Sequence, residues 1–98
     1  MKRIYKYPLE VIGKQYIELP HGAEILHVDG QCGELKLWAM FEDREYLSPD
    51  KHDIRIYGTG QQIPEETGAL SYLGTVKQNM DSLVWHIFEM INKEDSHE

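Results

Sequence analysis

The residue types best suited to chemistry lie in two short stretches, Arg55-Ile56-Tyr57-Gly58-Thr59-Gly60 and Trp85-His86. Gly58-Thr59-Gly60 follows an alternating apolar run, and successive backbone N–H groups in such a turn can form an anion-binding nest. Tyr57 offers a ring for stacking, Thr59 a hydroxyl, and Arg55 a cation for phosphate. The Gly-Lys-Ser/Thr ending of a phosphate-binding loop is missing. Pro64 arrives four residues after Gly60, before any long helix, so the P-loop and dinucleotide fingerprints both fail. A structural turn is the default for such a stretch. As a ligand loop, Arg55, Tyr57, Gly58, Thr59 and Gly60 would suit a small nucleotide.

His86 stands between Trp85 and Ile87 in an apolar run. A buried, hydrogen-bonded histidine is the ordinary outcome, while a catalytic base needs a nucleophile within reach. Nothing in the sequence brings Cys32 to it. Trp85 and His86 therefore join the candidate ligand-binding set, and no residue is assigned a catalytic role. His27, Asp29 and Cys32 could be written as metal ligands. Zinc needs three or four convergent donors, however, and the chain has no Cys-x-x-Cys or His-x-x-x-His pair to complete such a set. No metal site and no cofactor are expected. The carboxylates of Glu42, Asp43, Glu45, Asp50, Asp53, Glu65 and Glu66 crowd two loop-like stretches beside Arg44 and Lys51, as solvated surface residues do.

These residues must be positioned by one small domain. The chain has 98 residues, 41% of them apolar, enough for a single core. A lone cysteine cannot form an internal disulfide, so a reducing, cytoplasmic setting is expected. The opening Met1-Lys2-Arg3-Ile4-Tyr5-Lys6-Tyr7-Pro8 has no apolar stretch after it like that of a signal peptide. No run approaches the roughly 20 apolar residues that span a bilayer. The net charge of −7 disfavours direct binding to nucleic acid. Its distribution is uneven. Residues 1–19 carry Lys2, Arg3, Lys6 and Lys14 against Glu10 and Glu18, while residues 20–98 carry six basic and 15 acidic side chains. A randomly charged surface is the ordinary reading of such an asymmetry; read otherwise, a basic end against an acidic body would assist head-to-tail self-association, and a homo-oligomer is expected.

Short β-rich runs recur at roughly ten-residue spacing between turn signals, the pattern of a sandwich or barrel. Ile4–Tyr7 reads as a first strand stopped by Pro8, 15–19 as a second ending at Pro20, and 23–28 as a third. Asp29-Gly30-Gln31-Cys32-Gly33 is a hairpin signal. In the next run Leu35, Leu37, Ala39 and Phe41 form an apolar row, predicted to face the core, opposite Lys36, Trp38, Met40 and Glu42. Residues 43–53 read as a loop, 53–57 as a strand, 61–68 as a second loop and 70–76 as a strand. Gly74 marks a bulge or a close backbone approach. Leu83, Val84, Ile87, Phe88 and Ile91 fall at helical spacing, yet 83–88 is dense in strand-forming types, so the pattern supports helix and strand equally. The expected architecture is mainly β: one antiparallel sandwich or barrel of six to seven strands over 1–91, with a short C-terminal helix as an option and a disordered acidic tail over 92–98.

Four segments carry a resemblance: Ile4-Tyr5-Lys6-Tyr7-Pro8-Leu9-Glu10-Val11, Leu37-Trp38-Ala39-Met40, Ile56-Tyr57-Gly58-Thr59-Gly60, and Tyr72-Leu73-Gly74-Thr75-Val76 with Leu83-Val84-Trp85-His86-Ile87-Phe88. In that order and spacing, over residues 3–89, the chain resembles a family of small proteins of unknown function encoded by bacteriophages and prophages. The resemblance implies a final strand and supplies no catalytic residues. The extra stretch from Met90 to Glu98 departs from it.

The aromatics Tyr5, Tyr7, Tyr16, Tyr46, Tyr57, Tyr72, Trp38 and Trp85 exceed what a core of this size buries with every polar atom satisfied, so some belong at a surface or interface. The leading expectation is a non-enzymatic phage accessory protein that binds a host defence protein or sequesters a host nucleotide signal. An acidic blocker of a nucleic-acid-binding host enzyme, a small nucleotide-acting enzyme using His86 or His52, and a virion component are the alternatives.

Overall fold

The computed structural model describes residues 1–45, 48–65 and 68–91. It contains seven strands among them: β1 Lys2–Leu9, β2 Lys14–Pro20, β3 Glu24–Gln31, β4 Glu34–Glu42, β5 Pro49–Gly58, β6 Ala69–Gln78 and β7 Leu83–Ile91. A 3-10 turn covers Asp43–Glu45. The strands form two antiparallel sheets, a three-stranded one in the order β1-β4-β3 and a four-stranded one in the order β2-β5-β7-β6. The fold is a β-sandwich.

The alternation of β4 sets its two faces. Leu35, Leu37, Ala39 and Phe41 are each no more than 2% exposed, while the intervening Lys36, Trp38, Met40 and Glu42 are half-buried. The core continues with Leu9, Leu19, Val28, Ile54, Ile56, Val76 and Ile87, drawn from both sheets. β3 reaches this core through a bulge between Ile25 and His27. The extra residue, Leu26, lets Ile25 and Val28 both face inward although they are three apart.

Turn chemistry follows the sequence closely. β3 and β4 are joined by Cys32-Gly33 at φ +54° and +80°, a two-residue turn of the kind that matches strand twist. Gly74 borders a bulge, whose extra residue is Leu73, and is a close approach. The β6–β7 register shifts between Tyr72 and Gly74, and a Cβ on Gly74 would stand 2.5 Å from Cγ2 of Val28 in the opposite sheet.

Three expectations change. Pro8 does not stop β1, which runs on to Leu9; an edge strand commits only one side to a ladder and so can carry a proline. Half of the expected 43–53 loop is strand, because β5 begins at Pro49 and pairs its polar start with β2 down to Pro20↔Pro49. Residues 83–91 are strand. β7 is central, hydrogen-bonded to both β5 and β6, and a helix there would leave β6 without a strand partner and β5 with β2 alone. The expected tail at 92–98 lies outside the described residues, as do Tyr46 and Glu66.

β5 and β6 both run antiparallel to β7, so they are parallel to each other with β7 between them. Tyr57 is only 7% exposed although it projects to the outer side, where its ring meets that of Phe88 edge to face.

Candidate functional site

Strand alternation sorts the candidate residues. Ile54 and Ile56 point into the core, so Asp53, Arg55 and Tyr57 point outward. Ile87 points inward, so His86 and Phe88 point outward, and Thr75 lies opposite His86 across the β6–β7 ladder. The structure thus brings Arg55, Tyr57, Thr59 and His86 to the outer side of the four-stranded sheet. Trp85 is separated from them. It lies opposite Gly58 and Val76 on the inner side and donates its indole N–H to Oε1 of Gln78 at 2.8 Å.

Gly58-Thr59-Gly60 forms a tight turn. Gln61 N–H donates to the Gly58 carbonyl at 3.0 Å, and Gly60 takes φ +89° at the third position, as a type II turn demands. Gly58 N–H donates to the Gln61 side chain at 2.9 Å and Thr59 N–H to the Val84 carbonyl at 3.3 Å. Two of the three N–H groups that a nest would aim at an anion are thereby occupied. Gly58 also has a packing role, since a Cβ there would sit 3.3 Å from the Trp85 ring.

The turn hands Thr59 to His86. Thr59 Oγ1 lies 2.7 Å from His86 Nε2, His86 Nδ1 lies 3.1 Å from Thr75 Oγ1, and Thr75 Oγ1 lies 2.5 Å from the Tyr72 hydroxyl. A neutral imidazole has one donor and one acceptor nitrogen, and hydroxyls on both sides can match either tautomer. Chemically this is a hydroxyl–imidazole pair. The group behind the imidazole is a second hydroxyl, not the carboxylate that steadies an imidazolium in a hydrolytic triad. The arrangement suits hydrogen bonding to a ligand better than activation of a nucleophile.

Beside this row, Tyr57 and Phe88 meet edge to face at 6.1 Å, as do Tyr72 and Phe88 at 5.6 Å. Arg55 is held by both oxygens of Asp53, at 2.8 and 3.1 Å, and this pairing raises its pKa. Tyr57 is thus packed away, whereas Tyr72 presents 59% of its surface.

At the β2 edge lies a cluster that the sequence did not suggest. Tyr16 is 56% exposed on the same outer face, with Lys14 Nζ 5.3 Å and Lys51 Nζ 5.5 Å from its ring centroid. These are cation–π distances. Neither lysine pairs with a carboxylate among the described residues. Lys14 also stands directly across the ladder from Arg55. The outward-pointing side chains of its strands include Lys14, Lys51, Arg55 and Lys77 against Glu18 and Asp53, a positive balance among the strand residues of a chain of charge −7. The Lys14-x-Tyr16 spacing was visible in the sequence, but Lys51 arrives from another strand.

The remaining candidates lie elsewhere. His27 Nε2 and Asp29 Oδ2 are 3.5 Å apart on β3, while Cys32 is exposed in the hairpin turn. Among the described residues no three His, Cys, Asp or Glu side chains converge as a metal site would require. His52 is on the inner side of β5, half-buried and paired with Glu89 at 2.6 Å. The hydrogen bond that its ring N–H donates to the Glu89 carboxylate raises its pKa against an opposing effect of burial.

No helix among the described residues is long and apolar enough to cross a membrane. Comparison with curated proteins and with solved structures finds no match. Residues 1–98, which include both the Thr59–His86 row and the Tyr16 cluster, match a single family, and the chain belongs to that family, Domain of unknown function (DUF7352).

Proposed function

We propose that this protein is a non-enzymatic binding protein that captures a small aromatic anion of the nucleotide class on the outer face of its four-stranded sheet. The observation that carries this reading is Tyr16, exposed on a sheet face between the ammonium groups of Lys14 and Lys51. A nucleobase stacks on an exposed ring, and unpaired ammonium groups beside it attract the phosphate. Arg55, fixed by Asp53, adds a preoriented cation, and the Thr59–His86–Thr75–Tyr72 row adds hydrogen-bonding groups toward the other edge. The two ends of this band lie roughly 16 Å apart by strand and residue spacing.

The phage-like sequence pattern supports a biological setting for such capture: a phage or prophage accessory protein that withdraws a host signalling nucleotide in the host cytoplasm. Titration calorimetry against linear and cyclic mono- and dinucleotides tests the reading. Heat of binding with at least one of them, lost in Tyr16→Ala and reduced at least tenfold in affinity in Lys51→Ala, is the expected result. No heat with any member of the panel, together with no nucleotide in acid extracts of the purified protein, overturns it.

A further inference from the structure

The edge strand β2 is self-complementary, and we infer that it pairs with β2 of a second copy to make a two-fold dimer with a continuous sheet. The argument begins with the backbone. Gly13 accepts a hydrogen bond from Ile56 N–H at 3.2 Å, and the ladder continues through Lys14↔Arg55 to Pro20↔Pro49. In an antiparallel ladder the residues whose N–H and C=O face the partner alternate. Gly13, Gln15, Ile17 and Leu19 therefore face β5, and Lys14, Tyr16 and Glu18 turn theirs toward the open edge. No described strand pairs with that side of β2.

Side chains select the register. An antiparallel pairing centred on Tyr16 sets Tyr16 opposite Tyr16 of the second copy and Lys14 opposite Glu18 of the second copy, twice by symmetry. Each of these is a pair in which both residues offer their backbone groups to the edge, so each exchanges two N–H···O bonds. Shifting by one residue on each strand toward the C-terminus brings in Pro20, which has no N–H to give. The charge logic points the same way. Within one chain Lys14 faces Arg55, a like-charge neighbour, and has no carboxylate partner among the described residues. The second copy supplies that carboxylate.

The other edges are less suited. β1 carries Lys2, Arg3, Lys6 and Pro8, the cations and proline that blunt an edge, and no acid to answer them in a symmetric pair. β6 is packed against β3 of the other sheet, where a Cβ on Gly74 would strike Val28. A dimer through β2 also sets two copies of Tyr16 side by side, with Lys14 answered by Glu18 of the second copy and Lys51 left as the ammonium beside each ring. The pairing itself does not rest on the nucleotide reading.

The test uses light scattering on the full chain without nucleotide, at tens of micromolar. A mass near twice 11.5 kDa is expected for the wild type. Lys14→Glu and Glu18→Lys each place like charges opposite one another across the two-fold axis and should weaken self-association at least tenfold. Mixing these two variants restores complementarity at both contacts, so the mixture should form a heterodimer with near wild-type affinity. Circular dichroism identifies a variant that has lost its fold, and Tyr16→Pro, which removes the edge-facing N–H together with the ring but leaves the β2–β5 ladder bonds of Gln15 and Ile17, then replaces it. A monomeric wild type, variants that remain fully dimeric, or folded variants that fail to pair on mixing overturn the proposal. Nucleotide binding by a monomer would leave the functional reading standing and this inference refuted.

Discussion

Gly74 of β6 lies so close to Val28 of β3 that a methyl group at position 74 would stand 2.5 Å from Val28 Cγ2. The two sheets meet here without room for a side chain. Gly74→Ala should therefore cost about 1–3 kcal/mol, the usual range for overpacking a core. Val28→Ala alone leaves a cavity, yet in the double variant it makes room for the new methyl. The double variant should be more stable than the sum of the two single effects. Urea denaturation of the four proteins measures the coupling, and strict additivity would mean that the sheets do not approach as closely as described.

The β6–β7 turn makes a prediction of opposite sign. Asn79, Met80 and Asp81 all have positive φ, at +56°, +57° and +71°. A non-glycine residue held there costs about 1–2 kcal/mol, although asparagine and aspartate tolerate it better than methionine. Met80 is 98% exposed, so its side chain contributes no packing. Met80→Gly should stabilise the protein by about 0.5–1 kcal/mol, after the greater chain entropy of glycine in the unfolded state is deducted. A fall in the denaturation midpoint would contradict the left-handed turn.

The His52–Glu89 pair predicts a dependence on pH. The pKa of His52 is raised in the folded protein above its ordinary 6.5, chiefly by the hydrogen bond it donates to the Glu89 carboxylate. The folded state binds the proton more tightly than the unfolded state. The stabilisation is then fully present below pH 6.5 and fades as pH rises through the elevated value. Denaturant midpoints should decline over that interval in the wild type and stay flatter in His52→Gln. An equal decline in both would assign the effect to another group.

The Thr59–His86 contact can be read in binding. Replacing His86 by alanine breaks the bonds to Thr59 and Thr75 together, and it should weaken nucleotide affinity several-fold while leaving the cooperative unfolding transition intact. Thr75→Val should have a smaller effect, because His86 keeps Thr59. Calorimetry on the two variants orders them, and the reverse order would place the ligand on the Thr75 side of the imidazole.

Much of the fold was legible because alternation is a local signal. The row Leu35, Leu37, Ala39 and Phe41 could be assigned to the core from β4 alone, and Gly74 could be marked as a bulge or close approach from its place inside a strand. Residues 49–52 read as loop in the sequence because their types are polar on both faces. They pair with β2 at an end of the sheet, where no apolar row is required. The site was legible only in fragments. Thr59 and His86 were both singled out, but their contact depends on the register of strands 27 positions apart in sequence. Trp85 and His86 are neighbours in sequence, but once 83–91 is a strand, alternation alone sends Trp85 to the opposite face. Tyr16 gains its second lysine only through the β2–β5 pairing, which no local pattern encodes.

The central claim is that the outer face of the four-stranded sheet takes a nucleotide. Its most direct test is a two-dimensional amide NMR titration with adenosine 5′-diphosphate, which detects even weak binding and locates it. The account predicts shifts concentrated at residues 14–18, 51–57 and 84–88, with β1, β3 and β4 unmoved. Shifts confined to β1, β3 and β4, or none at millimolar nucleotide, would contradict it.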